Sequence, residues 1–353
     1  MKNNQSLINF FWDRFKKDKL GFVSVLYVFL LSIIGVFSYF IIPDTTPYAN
    51  EMHIEISKMP PGSSVSFLDT PKKKYDEVNW FKSHFFGKES KYYSVPIESY
   101  YFEDETLFYV EYSTKDTLRF LGESYMINER FYLFGTDKYG RDFFSRVLLG
   151  IRVSFSVGII AVFISLFLGV ILGSFAGYFG GRVDSVIMWL INIVWSVPTL
   201  LMVIAITLAL GKGFWQIFVA VGLTMWVEVA RVVRGKIMQE RNLQYVEVAR
   251  LMNLSSIRII FRHILPNIIS PIIIISAANF AAAILIESGL SFLGIGAQPP
   301  TPSWGGMIKD HYTYIIMDKS YLAIIPGLCI MMSVLSFMKI GDSIRSFNDV
   351  KDI

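Results

Sequence analysis

Six long apolar stretches constrain this chain of 353 residues more than any other feature of its sequence. Each approaches the roughly 20 residues that an α-helix needs to cross the hydrocarbon core of a bilayer. The composition agrees, since 53% of the residues are hydrophobic and the mean hydropathy is +0.46. We predict an all-α polytopic membrane protein with spans at about 20–42, 152–179, 184–210, 214–233, 265–292 and 321–341.

The basic residues predict how these spans are oriented. They are concentrated in the N-terminal tail 1–19 and in the segment between the fourth and fifth spans. The short loops on the opposite side contain three basic residues, Lys212, Lys309 and Lys319. By the positive-inside rule we expect both termini, including the tail 346–353, to be cytoplasmic and residues 43–133 to lie outside. The net charge of +4 then reflects topology and does not indicate nucleic-acid binding.

Residues 43–133 interrupt the membrane pattern. Six prolines between positions 43 and 96 and the run Lys72-Lys73-Lys74 disfavour helices there. The segment Tyr100 to Tyr112, YYFEDETLFYVEY, is rich in aromatic residues and partly alternates, which is typical of short strands. We therefore predict a small extracytoplasmic β-rich insert.

Two features inside the spans predict how their helices pack. The second span carries small residues at every fourth position, which would let another helix of the bundle approach closely: Ala161, Ser165, Gly169, Gly173 and Gly177. Pro198 predicts a kink in the third span, because it removes a backbone donor inside the helix.

A polar and basic segment at 243–264 separates the fourth span from the fifth. Its first part contains good helix formers and ends at Asn253, a residue that tolerates left-handed backbone. Ser255 then offers an N-cap for a second helix. One face of that helix would be apolar, because Ile260, Phe261 and Ile264 follow Ile257 by three, four and seven residues. We predict a helix pair at the membrane surface that docks a soluble partner.

This segment resembles the EAA loop of ABC-importer permeases, whose pattern is Glu-Ala-Ala, three residues, Gly, about nine residues, a hydrophobic residue and Leu-Pro. Here it reads Glu247-Val248-Ala249, then Asn253 in the glycine position, then Ile264-Leu265-Pro266, so the departures are Val248 and Asn253. The resemblance implies that Glu247 and Ala249 enter a groove of an ATPase subunit. The residues that it assigns to ATPase coupling are Glu247, Val248, Ala249, Asn253, Arg258, Arg262, Leu265 and Pro266.

A second motif, from Phe134 to Gly158, resembles the sequence that precedes the second span in the dipeptide and oligopeptide branch of these permeases. It includes Gly-Thr-Asp at 135–137, Gly-Arg-Asp at 140–142 and Gly-x-Arg-x-Ser at 150–154. Its acidic and basic side chains can pair with one another at the level of the lipid headgroups. We interpret five of its residues as structural, in preference to a substrate contact: Gly135, Asp137, Gly140, Arg141 and Asp142.

Three polar residues inside the spans are candidates for the translocation path or a gate, because polar groups in a bilayer must face protein or water. They are Asn192, Asn279 and Glu287. Glu287 also begins the segment 287–308, which is similar to the family's Glu-Ala-x-Leu-Ser-Phe-Leu-Gly sequence and the proline-rich sequence that follows it. A helix-end carboxylate bonded to neighbouring backbone or hydroxyl groups is the alternative role for Glu287.

Together these motifs identify residues 134–345 as similar to permease subunits of ABC importers, in the dipeptide, oligopeptide and nickel branch and of the C type. The resemblance implies a type I importer permease fold with six membrane helices in the bacterial inner membrane. It also implies partners: a second homologous permease, two ABC ATPase subunits, an extracytoplasmic substrate-binding protein and the lipid bilayer. The insert would offer a surface to that binding protein or be an addition without a direct part in transport.

We expect a transport subunit and not an enzyme, with ATP hydrolysis in separate subunits. No GxxxxGK[ST] sequence occurs, so nothing indicates ATP binding by this chain. The four histidines lack metal-ligand spacing, and we expect no metal site, cofactor or catalytic residue.

The favoured function is import of dipeptides or oligopeptides, with half of the translocation path formed by this chain. Nickel or another small solute is the alternative within the same family. A secondary transporter would show inverted repeats with broken helices near the midplane, and the sequence has no such internal duplication. A membrane-embedded enzyme would cluster Asp, His or Ser-Lys groups in its spans, and the spans contain too few of these residues.

Overall fold

The computed structural model describes residues 18–74, 78–104, 106–112, 115–122, 124–211 and 213–349, with side chains up to residue 346. This part of the chain divides into two compact units. The helical unit comprises the described parts of 1–31, 154–298 and 329–353, and the sheet unit comprises those of 32–153 and 299–328.

Helices account for most of the described chain. In chain order they are α1 (Lys19–Val36), α2 (Ser38–Ile41), α3 (Trp80–Phe86), α4 (Phe143–Phe179), α5 (Gly181–Trp195), α6 (Thr199–Leu210), α7 (Phe214–Glu240), α8 (Gln244–Leu251), α9 (Ser256–Arg258), α10 (Ile269–Phe292), α11 (Trp304–His311) and α12 (Tyr321–Asp349). α9 continues directly into a π-helical turn, Ile259–Ile264. Short 3-10 helices cover Pro47–Ala49, Ile54–Ile56 and Tyr312–Ile316. The strands are β1 (Ser63–Pro71), β2 (Tyr92–Glu103), β3 (Thr106–Glu111), β4 (Thr117–Arg119) and β5 (Met126–Tyr132).

Five of the described helices are long and apolar enough to cross a membrane, namely α1, α4, α7, α10 and α12. The bent pair of α5 and α6 makes a sixth span if it is counted as one. With the sheet, these helices confirm the predicted fold class, a helical membrane protein with a small β-rich region. α4, which contains the second predicted span, begins at Phe143 and not at residue 152, because Asp142 accepts a hydrogen bond from the Ser145 N–H (3.0 Å) and caps the helix at that point.

The predicted third span, 184–210, is two helices and not the single kinked helix expected from its sequence. α5 ends at Trp195 and α6 begins at Thr199, with an angle of 88° between the two. Pro198 has extended backbone geometry, with φ −54° and ψ 127°. A proline lacks an amide hydrogen and disfavours helical geometry in the residue before it, so here the helix ends and a new one starts.

The glycines of the small-residue stripe pack against α7 within the helical unit, which confirms their predicted role in the bundle. A Cβ atom on Gly173 would lie 2.5 Å from the carbonyl oxygen of Ala230, and one on Gly177 would lie 2.7 Å from that of Arg234. The glycines thus let two helix backbones approach closely. In a bilayer such packing matters more than in water, since lipid provides no hydrophobic force between helices.

The five described strands form one antiparallel sheet in the order β4-β3-β2-β1-β5. The segment Tyr100 to Tyr112, predicted to form strands, supplies the end of β2 and all of β3. Adjacent residues Phe67 and Leu68 of β1 are both buried, and they belong to two different clusters because successive side chains of a strand point to opposite faces. The clusters consist of Ile56, Val65, Phe67 and Tyr132, and of Leu68, Ile97 and Leu107.

Candidate functional site

The segment 243–266 begins as the predicted helix followed by a tight turn. α8 is closed by a hydrogen bond from the Leu254 N–H to the Ala249 carbonyl (3.2 Å). Asn253 has φ +56°, the left-handed conformation expected for the glycine position of the motif. Ser255 lies at the N-cap position of α9, but its side chain makes no capping hydrogen bond.

The second half of the segment differs from the predicted amphipathic α-helix. It contains a π-helical turn in which the Leu265 N–H bonds to the Ile260 carbonyl at 2.9 Å, five residues earlier. The wider turn changes which side chains share a face. Ile260 is buried, whereas Ile257 is 60% and Phe261 is 46% exposed. The expectation of one common apolar face for these residues is therefore wrong.

The inner side of the segment is attached firmly to the helical unit. Its buried side chains form one cluster with residues from α7 and from the chain leading into α10, namely Val229, Val233, Ile237, Val246, Ala249, Ile259, Ile260, Ile264, Ile268 and Ile272. Ala249 is 4% exposed, so it packs against its own chain and is not available to enter a partner's groove as expected. Among the other predicted coupling residues, Leu265 is half-buried and Pro266 is exposed.

The outer side of the segment exposes large apolar side chains. We call this the outer apolar surface and define it by Val248 (53% exposed), Leu251 (86%), Met252 (69%), Ile257 (60%) and Phe261 (46%). Charged side chains are exposed in the same stretch of chain, namely Glu247, Arg250, Arg258 and Arg262. Exposed apolar residues in such number, bordered by charge, are typical of a protein interaction site.

Contacts that the sequence did not reveal connect this segment to the preceding helices. Arg241 donates to the carbonyl oxygens of Gly177 (3.0 Å) and Tyr178 (3.3 Å), the last turn of α4. Arg234 forms a two-pronged ion pair with Asp184 of α5, with distances of 2.5 and 2.7 Å. The sequence marks both arginines as basic residues near a membrane boundary, but their partners are 50 or more positions away.

The residues interpreted as structural in the 134–142 motif have dense contacts within the sheet unit. Asp137 accepts hydrogen bonds from the Tyr139 N–H (2.8 Å) and the Arg141 N–H (3.1 Å) and forms an ion pair with the Arg141 guanidinium (2.6 Å). Burial raises the pKa of the Asp142 carboxyl to about 6, against the opposing effect of its hydrogen bonds with Ser145. These contacts support a structural role.

Both glycines of this motif have positive φ and lie close to other backbone. A Cβ atom on Gly135 (φ +72°) would overlap the Met59 carbonyl oxygen, and one on Gly140 (φ +73°) would overlap that of His53. Any larger residue would therefore push the motif away from the segment 53–60.

The three candidates for the translocation path have different environments. Asn192 on α5 is exposed, whereas Asn279 and Glu287 on α10 are buried. Glu287 accepts hydrogen bonds from three serine hydroxyls, those of Ser154 (3.4 Å), Ser288 (3.4 Å) and Ser291 (2.7 Å). The Nδ2 atom of Asn279 has no hydrogen-bond partner within the described ranges.

Comparison with known proteins links the helical region to membrane transport. A family model described as "Binding-protein-dependent transport system inner membrane component" matches residues 169–346. The chain is 39% identical to the dipeptide transport system permease protein DppC of Bacillus subtilis (strain 168) over 218 residues, 62% of this chain and 68% of DppC. It is 38% identical to the glutathione transport system permease protein GsiD of Pectobacterium atrosepticum over 217 residues, 62% of this chain and 72% of GsiD. Among solved structures, an inward-facing conformation of the MetNI methionine ABC transporter aligns with this chain at 15% sequence identity and a TM-score of 0.47. The alignment covers 57% of this chain and 95% of the matched MetNI chain.

Proposed function

This chain belongs to the family of binding-protein-dependent transport system inner membrane components, and we propose that it imports small peptides. It is a multi-pass permease subunit of an ABC importer of the inner membrane. Its relatives are named for dipeptide transport and for glutathione transport, and glutathione is itself a small peptide. Small peptides are therefore the substrate class that these relatives share.

We infer that the outer apolar surface and Glu247 contact an ATPase subunit on the cytoplasmic side. Two observations support this. The exposed apolar side chains would lose contact with water on binding, which is the main favourable term in most protein association. The inner side of the same segment is packed on α7 and the start of α10, so a movement of the partner would be passed to membrane helices.

The proposed assembly contains a second homologous permease, two ATPase subunits and an extracytoplasmic binding protein, as expected for this family. The distribution of basic residues supports cytoplasmic termini and an external sheet region. The unpartnered amide nitrogen of Asn279 makes that residue the preferred candidate for the translocation path. Glu287 is better explained as a helix-end carboxylate held by serine hydroxyls.

Charge introduced into the outer apolar surface tests the coupling role. Leu251→Asp combined with Met252→Asp should abolish recovery of the ATPase subunits with this chain, because two carboxylates would then have to be desolvated in the interface. The matched control is Ile316→Asp combined with Met317→Asp, which places the same two charges at neighbouring residues that are 92% and 64% exposed in the sheet unit. Equal recovery of the ATPase from the double variant and from this control would contradict the proposal.

Transport by the purified complex tests the substrate class. In proteoliposomes containing the partner subunits and the binding protein, we expect ATP-dependent uptake of labelled dipeptide or glutathione. Uptake of Ni²⁺ with no uptake of either peptide would refute the proposed substrate while leaving the coupling role standing.

A further inference from the structure

An aromatic surface is exposed on the sheet unit and is not explained by the proposed function. We call it the aromatic patch and define it by Phe37 (46% exposed), Phe40 (52%), Trp80 (65%), Phe81 (59%) and Phe86 (67%). Soluble surfaces rarely expose so many large apolar side chains together.

Ring contacts link three members of the patch, Phe37, Phe40 and Trp80, through His84. Phe37 and Phe40 have ring centroids 6.0 Å apart, and the Phe40 ring lies 4.4 Å from the ring of His84. His84 in turn lies 4.7 Å from Trp80 at the start of α3. A series of ring contacts therefore leads from the end of α1 through α2 to Trp80 on α3, the helix that also carries Phe81 and Phe86.

This surface continues the surface of a membrane helix. α1 is apolar enough to cross a bilayer, and 17% of its span is buried by the described part of the chain, so those residues leave most of its surface uncovered. Phe37 directly follows the last residue of α1, at the depth where a spanning helix leaves the hydrocarbon core. Tryptophan is enriched at that level of a membrane, and Trp and Phe side chains form the apolar face of short helices that lie in the interface.

The sequence around α3 is also suited to a membrane surface. Within WFKSHFFGK, 80–88, aromatic residues alternate with the exposed cations Lys82 and Lys88. Lysine side chains at an interface can lay their apolar stems along the lipid and direct the ammonium group towards water or phosphate. A wholly apolar helix would sink into the hydrocarbon, and a wholly polar one would stay in water.

Arg152 holds α3 against the end of the membrane helix. Its guanidinium donates to three carbonyl oxygens, those of Gly35 (2.7 Å) and Val36 (2.8 Å) in the last turn of α1 and that of Phe85 (2.5 Å) in α3. Gly87, just after α3, has φ +82°, and a Cβ atom there would lie 2.9 Å from the Thr45 carbonyl oxygen. The C-terminal end of α3 is thus held by contacts at Phe85 and at Gly87.

We propose that α3 is a membrane anchor of the insert, and that the aromatic patch lies in the headgroup layer of the lipid around α1. Trp80, Phe81 and Phe86 then attach the insert to the bilayer surface, in addition to the covalent links between the insert and the membrane spans. Lipid is the occupant because the patch continues the lipid-facing surface of α1 and pairs aromatic side chains with lysines.

Spin-label accessibility in lipid nanodiscs tests this proposal on the full chain. Single cysteines are placed by Trp80→Cys, Phe81→Cys, Phe29→Cys and Ser99→Cys in a Cys329→Ser background and labelled with a nitroxide. Phe29, exposed on α1, serves as the hydrocarbon reference, and Ser99, exposed on β2, serves as the aqueous reference. Collisions with oxygen report lipid, and collisions with a water-soluble nickel chelate report solvent.

The expected result is an intermediate depth at positions 80 and 81, with more oxygen contact than at 99 and more nickel contact than at 29. Nickel accessibility at both positions equal to that at 99 would place the patch in water and overturn the proposal. Low accessibility to both reagents would show that a protein surface, such as a second subunit, covers the patch, and would overturn it as well.

Discussion

Asp137→Asn should destabilise its surroundings much more strongly than Asp184→Asn, although each change removes one carboxylate from an ion pair with arginine. The Asp137 side chain is 1% exposed and its partner Arg141 is 4% exposed, with 2.6 Å between the charged atoms. A second guanidinium, that of Arg146, lies 3.7 Å from the same carboxylate. Asp184 and Arg234 are 20% and 25% exposed.

The magnitudes follow from burial. Removing one member of a buried pair costs about 3–5 kcal/mol, since the remaining charge is left without compensation. Here two buried arginines would lose their carboxylate. The half-buried pair of Asp184 and Arg234 is partly screened by water, which can also solvate the partner that remains, so its loss should cost only about 1 kcal/mol. Asparagine keeps the shape of the side chain and its acceptor oxygen for the Tyr139 and Arg141 N–H groups, so the difference reports the charge.

Hydrogen exchange measured by mass spectrometry on the chain in nanodiscs would test this contrast. Since about 1.4 kcal/mol corresponds to a factor of ten, Asp137→Asn should speed exchange in the segment 134–146 at least ~100-fold. Asp184→Asn should speed exchange at the start of α5 less than ~10-fold. Equal effects in the two segments would refute the argument that burial decides the strength of these pairs.

Three further predictions concern other parts of the chain. Gly173→Leu should lower the melting temperature of the detergent-solubilised protein, since overpacking costs about 1–3 kcal/mol, whereas Gly235→Leu, with nothing within 4 Å of a new Cβ atom, should leave it nearly unchanged. Burial raises the pKa of Asp142 to about 6, so its ionisation opposes folding, and the sheet unit should become more stable as the pH falls from 7.5 towards 5. Urea titrations of Asp142→Asn should show less of this pH dependence, and an unchanged dependence would contradict the raised pKa of Asp142. Arg152→Lys keeps the charge but cannot reach all three carbonyl oxygens, so hydrogen exchange in α3 should become faster while exchange in β1 stays the same.

Local features of the sequence are sufficient to predict part of this structure. The length and hydropathy of the apolar stretches predict the membrane helices, because a bilayer requires about 20 apolar residues for each crossing. Asn253 predicts the left-handed turn after α8, and the glycine stripe predicts close packing of α4, since both depend on the conformational or steric properties of single residues. The aromatic segment Tyr100 to Tyr112 likewise predicts the end of β2 and all of β3.

Other features were decided by contacts between residues that are far apart in the chain. Ala249 is buried because it packs with side chains of α7 and of the π-helical turn, and no local pattern of the sequence specifies that packing. Likewise, Arg152 was recognisable as part of a motif, but its partners on α1 and α3 lie 67 to 117 positions away. The sequence predicts a kink at Pro198 and the structure has a break of 88°, because a proline shows where a helix is weak and the neighbouring helices decide how far it bends.

The sequence by itself determined which segments enter the membrane, since that choice depends on composition along the chain. Only the tertiary structure decided which side chains each segment leaves exposed, because exposure depends on what packs against it.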